Sequence, residues 1–321
     1  MIPGLSVGHW QRIGDGWLTG TTVVLPDAPA LAAVDVRGGG PATRDTIALR
    51  PGGPRADAIV LTGGSAHGLA AADGVQEWLG KDEPLVPAAA IYDLGRGGVR
   101  GHRPDAAAGR AAAAAAGQHV AQGCVGAGTG AVTAELKGGL GTASVALPDG
   151  SVVGALAVVN AHGSTLDPAT GLPLAVDLGD FAMRVPDAAE HAAAVHALQH
   201  PDRPLAGLDL PNTVIGVVAT DASIDHPGLV RAAGAAQRGM ARAIRPVHGP
   251  TDGDTVFALG TGSAAADPQR TAEVVLAAEL AFACAVVHAV LAATSVTTGF
   301  GHIASYRELY PRATADLPGF S

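Results

Sequence analysis

Cysteine, lysine, asparagine and aromatic side chains are all scarce in this chain of 321 residues. Its only cysteines, Cys124 and Cys284, form no CxxC pair, which excludes a disulfide framework and the usual zinc and redox motifs. A reducing, cytoplasmic setting is the expectation. Charged residues make up 15% of the chain and hydrophobic ones 48%, so neither a disordered tail nor a nucleic-acid coat fits. The net charge of -9, without a basic stripe, argues against phosphate backbones and anionic lipid as partners. The start, MIPGLSVGHW, lacks the basic and apolar regions of a secretory signal. One uncharged run, Leu280 to Gly301, reaches the roughly 20 residues of a membrane span. Its alanines, His288 and the polar ending SVTTG point instead to a buried helix. The chain has no H-E-x-x-H, and its 12 histidines are scattered, so neither metal nor cofactor is expected.

What is present reads as one α/β domain. Apolar, β-branched runs bounded by Gly and Pro predict strands over Thr21 to Leu25, Ala58 to Thr62, Val152 to Asn160, Val214 to Thr220 and Thr255 to Gly260. Helices are predicted over Ala66 to Leu79, Asp105 to Gln122, Ala188 to Gln199, Pro227 to Ala243 and Pro268 to Thr294. In the fourth of these, Leu229, Ala233, Ala236, Met240 and Ala243 share one face, with Arg231, Arg238 and Arg242 elsewhere. Prolines 168, 173, 186, 201, 204 and 211 break the stretch from Ala161 to Pro211, which reads as a mobile, surface-running connection between two halves.

Scarcity also marks individual residues. Lys81 and Lys137 are the only lysines among 20 cationic side chains, and Asn160 and Asn212 are the only asparagines. Lys81 follows Gly80 at a helix exit and needs no further account. Lys137 lies in the glycine-dense GAGTGAVTAELKGGLGTAS, Asn160 closes a strand, and Asn212-Thr213 opens one. Asp252 and Asp254 flank a glycine just before another strand, a pattern that is first of all a turn signal. Familiar signatures nearly appear and fail. GGSAHG has His67 where a nucleophile elbow needs glycine. GAGTGA lacks the long helix a dinucleotide site needs.

LTGGSAHGLAAADGV, the Lys137 loop, VVNAHG, LPNTVIGVVATDA and ARAIRPVHGPTDGDTVFALGTG, in this order, resemble the DmpA-type family of self-processing aminopeptidases and amidases. The resemblance covers nearly the whole chain. The Asn212-Thr213 junction and the paired aspartates look most like the nylon-oligomer hydrolase branch. The resemblance implies a four-layer α-β-β-α sandwich and self-cleavage into residues 1–212 and 213–321. The pieces would stay together and assemble further as a homo-oligomer, for instance a tetramer of pairs. Thr213, Asp252, Asp254, Lys137 and Asn160 would be catalytic, with Asn212 and Thr213 flanking the cut. His67, where the family commonly has Phe, would shape the substrate pocket. Tyr92 and Asp93, in IYDLGRGG, either line the same cleft or form a strand-end turn.

The residues themselves supply a mechanism. A threonine hydroxyl needs a base. Cutting before Thr213 would free an α-amine with a reference pKa of about 7.7 to 8.0, close to working pH. The expected activity is therefore hydrolysis of small amides or peptides through a Thr213 acyl-enzyme. Two other readings stay open: an acyltransferase of the ornithine acetyltransferase type, and a non-catalytic binding protein on the same fold.

Overall fold

The computed structural model describes residues 2–134, 136–200, 212–262, 267–317 and Gly319. Pro201, Pro204 and Pro211 of the broken segment lie outside the described residues. The chain opens with a hairpin of β1 (Leu5–Gly14) and β2 (Trp17–Pro26). Its two-residue turn, Asp15-Gly16, has positive φ at both positions, which matches the strand twist. β2 continues through β5 (Ile59–Thr62) and β6 (Ala88–Ala90) to the short β4 (Thr43–Arg44), giving a sheet in the order β1-β2-β5-β6-β4. A second sheet has the order β3 (Leu31–Val36), β10 (Thr255–Gly260), β9 (Thr213–Thr220), β8 (Val152–Asn160) and β7 (Leu140–Ala146).

Strand periodicity sorts the side chains between layers. On β9, Ile215 and Val217 face the other sheet and pack with Leu5, Leu61, Leu156 and Phe257. Val214 and Val218 face the opposite way, into the cluster with Met240 and Phe282. Covered on both faces, this central strand reads as one continuous apolar run, which is why the sequence reveals it. The outer layers are helical. α2 (Ala71–Leu79) and α3 (Ala106–Ala114) cover the first sheet through Val75, Ala112 and Ala113, packed on Val23 and Val60. α5 (His226–Ala243) and α6 (Pro268–Ala292) cover the second. The result is the α-β-β-α sandwich.

α5 buries Leu229, Ala233, Ala236, Met240 and Ala243 and leaves Arg231, Arg238 and Arg242 exposed. Its N-terminus is capped by Asp225, which accepts from the Gly228 N–H. α6 is long and apolar enough to cross a membrane, yet most of that stretch is buried within this fold. The polar SVTTG that follows belongs to a small hairpin of β11 (Val296–Thr298) and β12 (Gly301–Ile303).

Two expectations need correction. The helix predicted over Asp105 to Gln122 ends at Ala114, because Gly117 turns out to exchange both backbone hydrogen bonds with Val7 at the edge of β1. Tertiary pairing overrides the alanine run. The segment after Asn160 is not simply surface-running. Ala161, Leu166, Ala175, Phe181 and, on α4 (Ala188–Gln199), Ala194 are buried in the same core as α5 and α6.

This arrangement brings several strand ends to one edge. β8 ends at Asn160 directly across from Thr213, the first residue of antiparallel β9. Parallel to β9, β10 begins at Thr255, so residues 252–254 arrive beside residues 212–214. From the first sheet, β5 runs out into Gly63-Gly64 and β6 into Tyr92-Asp93, joined by a 2.7 Å bond from the Gly64 N–H to Asp93 Oδ1.

Candidate active site

Thr213 and Asn212 are both buried. The Thr213 hydroxyl hydrogen-bonds the carbonyl oxygen of Asn212, the peptide group immediately before it. That same oxygen accepts the Gly253 N–H at 3.1 Å. The Asn212 carbonyl thus carries a backbone donor while a hydroxyl stands against it.

The aspartates of TDGD divide their work. Asp254 accepts the Val214 N–H at 2.7 Å on Oδ1, and His248 Nδ1 lies 2.7 Å from Oδ2. The backbone N–H of His248 also donates to Oδ2, at 3.2 Å. Asp252 accepts the Gly249 N–H at 2.8 Å on Oδ2, while its buried Oδ1 has no well-formed hydrogen bond and the His162 backbone lies near the carboxylate. Burial pushes the Asp252 carboxyl up from the ordinary range, and the neighbouring Asp254 charge pushes the same way.

Opposite the aspartates sit the amide and the cations. Asn160 Oδ1 accepts from the Val132 N–H at 3.1 Å and from Arg96, while Nδ2 makes one long contact, 3.4 Å, to the Tyr92 carbonyl. Lys137 is 0% exposed. Its ammonium donates to the carbonyls of Gly128, Ala131 and Gly138 at 3.1, 2.9 and 2.8 Å. Burial pulls its pKa below the usual lysine range, and a neighbouring Cys124 thiol opposes that shift. The glycines of this loop have a concrete cause. A Cβ on Gly138 would collide with the Val159 carbonyl, and one on Gly130 with the Leu18 carbonyl and Asp93 Oδ2. The backbone that glycine admits here is the protein's own, pressed against the end of β8.

The structure therefore gathers Asn212, Thr213, Asn160, Asp252 and Asp254 directly. It places Lys137 behind Asn160, in the loop whose Val132 N–H holds that amide. The three residues considered for the substrate site fare differently. Tyr92 is half-buried, and its hydroxyl accepts from Arg100 at 3.1 Å. Asp93 is buried under Gly63, Gly64 and Gly130, and burial raises its pKa against the pull of Thr19, the Gly64 N–H, Arg96 and Lys137. His67 is exposed on the four-residue helix α1 (Ser65–Gly68). A cavity of about 610 Å³ opens near the other ends of β8 and β9, with Ile2, Leu156, Val217 and Cys284 in its walls. None of the gathered polar residues lines it.

Arg96 and His248 escape the sequence reading. Arginine is this chain's default cation, and His248 is one of 12 histidines, so scarcity marks neither. For His248 a usable signal was its place four residues ahead of Asp252, in the same turn-rich run.

The profile of peptidase family S58 matches residues 2–304. An uncharacterized aminopeptidase of Mycobacterium tuberculosis is 46% identical over 340 aligned positions, covering 97% of each chain. A 6-aminohexanoate-oligomer endohydrolase of Kocuria sp. is 32% identical over 278 positions, covering 81% of this chain and 74% of the other. The solved L-aminopeptidase D-Ala-esterase/amidase of Ochrobactrum anthropi, a variant of the Ntn hydrolase fold, has a TM-score of 0.74 at 23% identity. That likeness covers 99% of this chain and 94% of the other. With the family profile running almost end to end over this sandwich, which shares the Ntn hydrolase fold, the chain belongs to peptidase family S58, and it is an amide-bond hydrolase.

Proposed function

We propose that this hydrolase activates itself by cutting the Asn212-Thr213 bond and then uses Thr213 as an N-terminal nucleophile on small amides. The observation that carries the reading is the Thr213 hydroxyl seated on the Asn212 carbonyl, with the Gly253 N–H on the same oxygen. Oγ of Thr213 attacks the Asn212 carbonyl carbon, and the Gly253 N–H stabilises the oxygen as it becomes negative. The C–N bond breaks, the nitrogen takes up a proton, and an ester joins Asn212 to the threonine oxygen. Water opens the ester, leaving a carboxylate on Asn212 and a free amine on Thr213.

In turnover, the amine takes the hydroxyl proton as Oγ bonds to the substrate's acyl carbon and passes it to the departing amine; water then releases the acyl group. Asp254, fixed by the Val214 N–H, and Asp252 hold the new amine, while Asn160 and Lys137 favour the negative oxygen. The two pieces remain together because β9 is paired on both sides, with β8 and β10.

The substrate class favoured by the 46% identical relative is a short peptide or aminoacyl amide. Amino-terminated oligoamides, the class named for the 32% identical relative, come second. Denaturing mass spectrometry of purified protein is expected to show residues 1–212 and 213–321 as separate masses, and Thr213→Ala protein to stay whole and inactive. A panel of aminoacyl p-nitroanilides and amino-oligoamides, with and without an amine acceptor, assigns the substrate and separates hydrolysis from acyl transfer. Full amidase activity in Thr213→Ala would remove the nucleophile assignment.

A further inference from the structure

Arg96 is 5% exposed, and a buried guanidinium is costly unless its donors are well used. One amino nitrogen, Nη1, donates to the Gly130 carbonyl at 2.7 Å and to Asn160 Oδ1. The Arg96 backbone is held as well. Its N–H donates to the Asp93 carbonyl at 3.2 Å, and its carbonyl accepts the Thr298 hydroxyl at 2.6 Å. The turn after β6, the Lys137 loop and the β11–β12 hairpin thus meet at this residue.

Its contact with Asn160 settles which way that amide faces. Two donors, Arg96 and the Val132 N–H, converge on one side-chain atom of Asn160, so that atom is the oxygen; the flipped amide would set its NH2 against both. The NH2 is thereby turned away, toward the Tyr92 carbonyl, and a 3.4 Å contact leaves it with hydrogen-bonding capacity to spare. Asn160 and Thr213 are direct partners across β8 and β9, so their side chains are neighbours on one face.

We propose that Arg96 is a positioning residue that locks the Asn160 amide so that Nδ2 donates to the oxygen that turns negative when Thr213 attacks. The inference rests on the Thr213 reading and adds to it the residue that orients the donor. Losing one such donor typically lowers kcat by about 10²- to 10³-fold. Without Arg96 the Val132 N–H alone still holds Oδ1, and the loosened amide loses part of that factor.

The test is a double-mutant cycle on the cleaved enzyme, using the best p-nitroanilide of the panel, with active sites counted from the fraction cut at 212/213. Arg96→Met is expected to lower kcat by about 10²-fold with KM within about threefold, since it disturbs a donor used mainly in the transition state. With Asn160 already changed to Ala, the same substitution is expected to cost less than about twofold. Arg96→Lys, which keeps a donor on this side of Asn160, is expected to recover at least tenfold over Arg96→Met.

Equal losses in both backgrounds, a loss confined to KM, or a kcat within about threefold of wild type would overturn the proposal. If Arg96→Met does not fold, Arg96→Lys carries the cycle, with an expected loss of about tenfold beside Asn160 and none beside Ala. Wild-type protein left whole at 212/213 would sink the Thr213 reading itself; a cut, active wild type with an indifferent Arg96 would sink this inference alone.

Discussion

The two flanks of Thr213 are built to different standards. Around Asn160 the polar groups are matched: three carbonyls for the Lys137 ammonium, two donors for Asn160 Oδ1, and carbonyl and amide acceptors for Arg96. Behind them, Asp93 Oδ2 and Thr133 Oγ1 are the buried atoms left without hydrogen bonds to described residues. On the acid side Asp252 Oδ1 and His248 Nε2 are buried without well-formed hydrogen bonds to described residues, and His248 sits at φ 58, outside the usual region for its type. A satisfied, buried network is rigid; a partly satisfied one holds free energy in reserve. The difference suits an uncut chain. Under the proposed self-cleavage, the groups around Asn160 would already be paired before the cut, whereas the acid side would gain a donor only once the Thr213 amine is freed.

The largest effect should come from breaking the finished flank. Lys137→Met removes a buried charge and leaves the Gly128, Ala131 and Gly138 carbonyls without their donor. Leaving a buried acceptor without its donor costs about 1–3 kcal/mol, so denaturant unfolding should show a loss of at least that order. Lys81→Met removes the other lysine, whose side chain is half-exposed and whose buried partner Asp57 keeps the Leu85 N–H at 2.9 Å, and should cost less, about 1 kcal/mol. Equal costs for the two would mean that burial of Lys137 is not what distinguishes this flank.

The acid flank should respond to pH. Because burial and Asp254 raise the Asp252 pKa on folding, the protonated acid favours the folded state. That contribution is complete below the unfolded pKa of about 3.9 and is lost as pH rises through the folded value. In uncut Thr213→Ala protein, adding Asp252→Asn should therefore raise the melting temperature at neutral pH, with the gain fading toward pH 4. If cleavage frees the Thr213 amine as proposed, that amine would face the same carboxylate in the wild-type enzyme, and the gain should shrink or reverse. A gain of the same size in both proteins would show that Asp252 is not waiting for that amine.

The sequence disclosed most of the finished flank and half of the acid one. Lys137 and Asn160 stood out because the composition disfavours both residue types, so their retention called for a reason. The strands carrying Asn160 and Thr213 were legible because both faces are covered and the apolar runs are unbroken. β1 and β7 were not: each is an edge strand, and their exposed positions hold residues such as Gln11, Arg12 and Ser144 that blur the pattern. The end of α3 was hidden because it is set by the distant Val7, and Arg96 because nothing local separates it from any other arginine. What the sequence could not express was pairing across the sandwich, and that pairing decides which polar atoms are satisfied.

The smallest expected effect discriminates between two roles for His248. Its ring touches Asp254 Oδ2 at 2.7 Å, close enough to suggest a histidine-carboxylate pair serving as the base. Yet Asp254 is also held by two backbone N–H groups, those of Val214 and His248, which no side-chain substitution at position 248 removes. Asparagine tolerates the left-handed backbone found here and offers an amide donor near the position of Nδ1. If the base is the Thr213 amine and the ring merely helps to hold Asp254, His248→Asn should lower kcat by only about two- to fivefold. Loss of a general base typically costs about 10²- to 10⁴-fold. A drop of that size in correctly cut His248→Asn enzyme would move the base from the amine to the imidazole, and the acid flank would then be complete without cleavage.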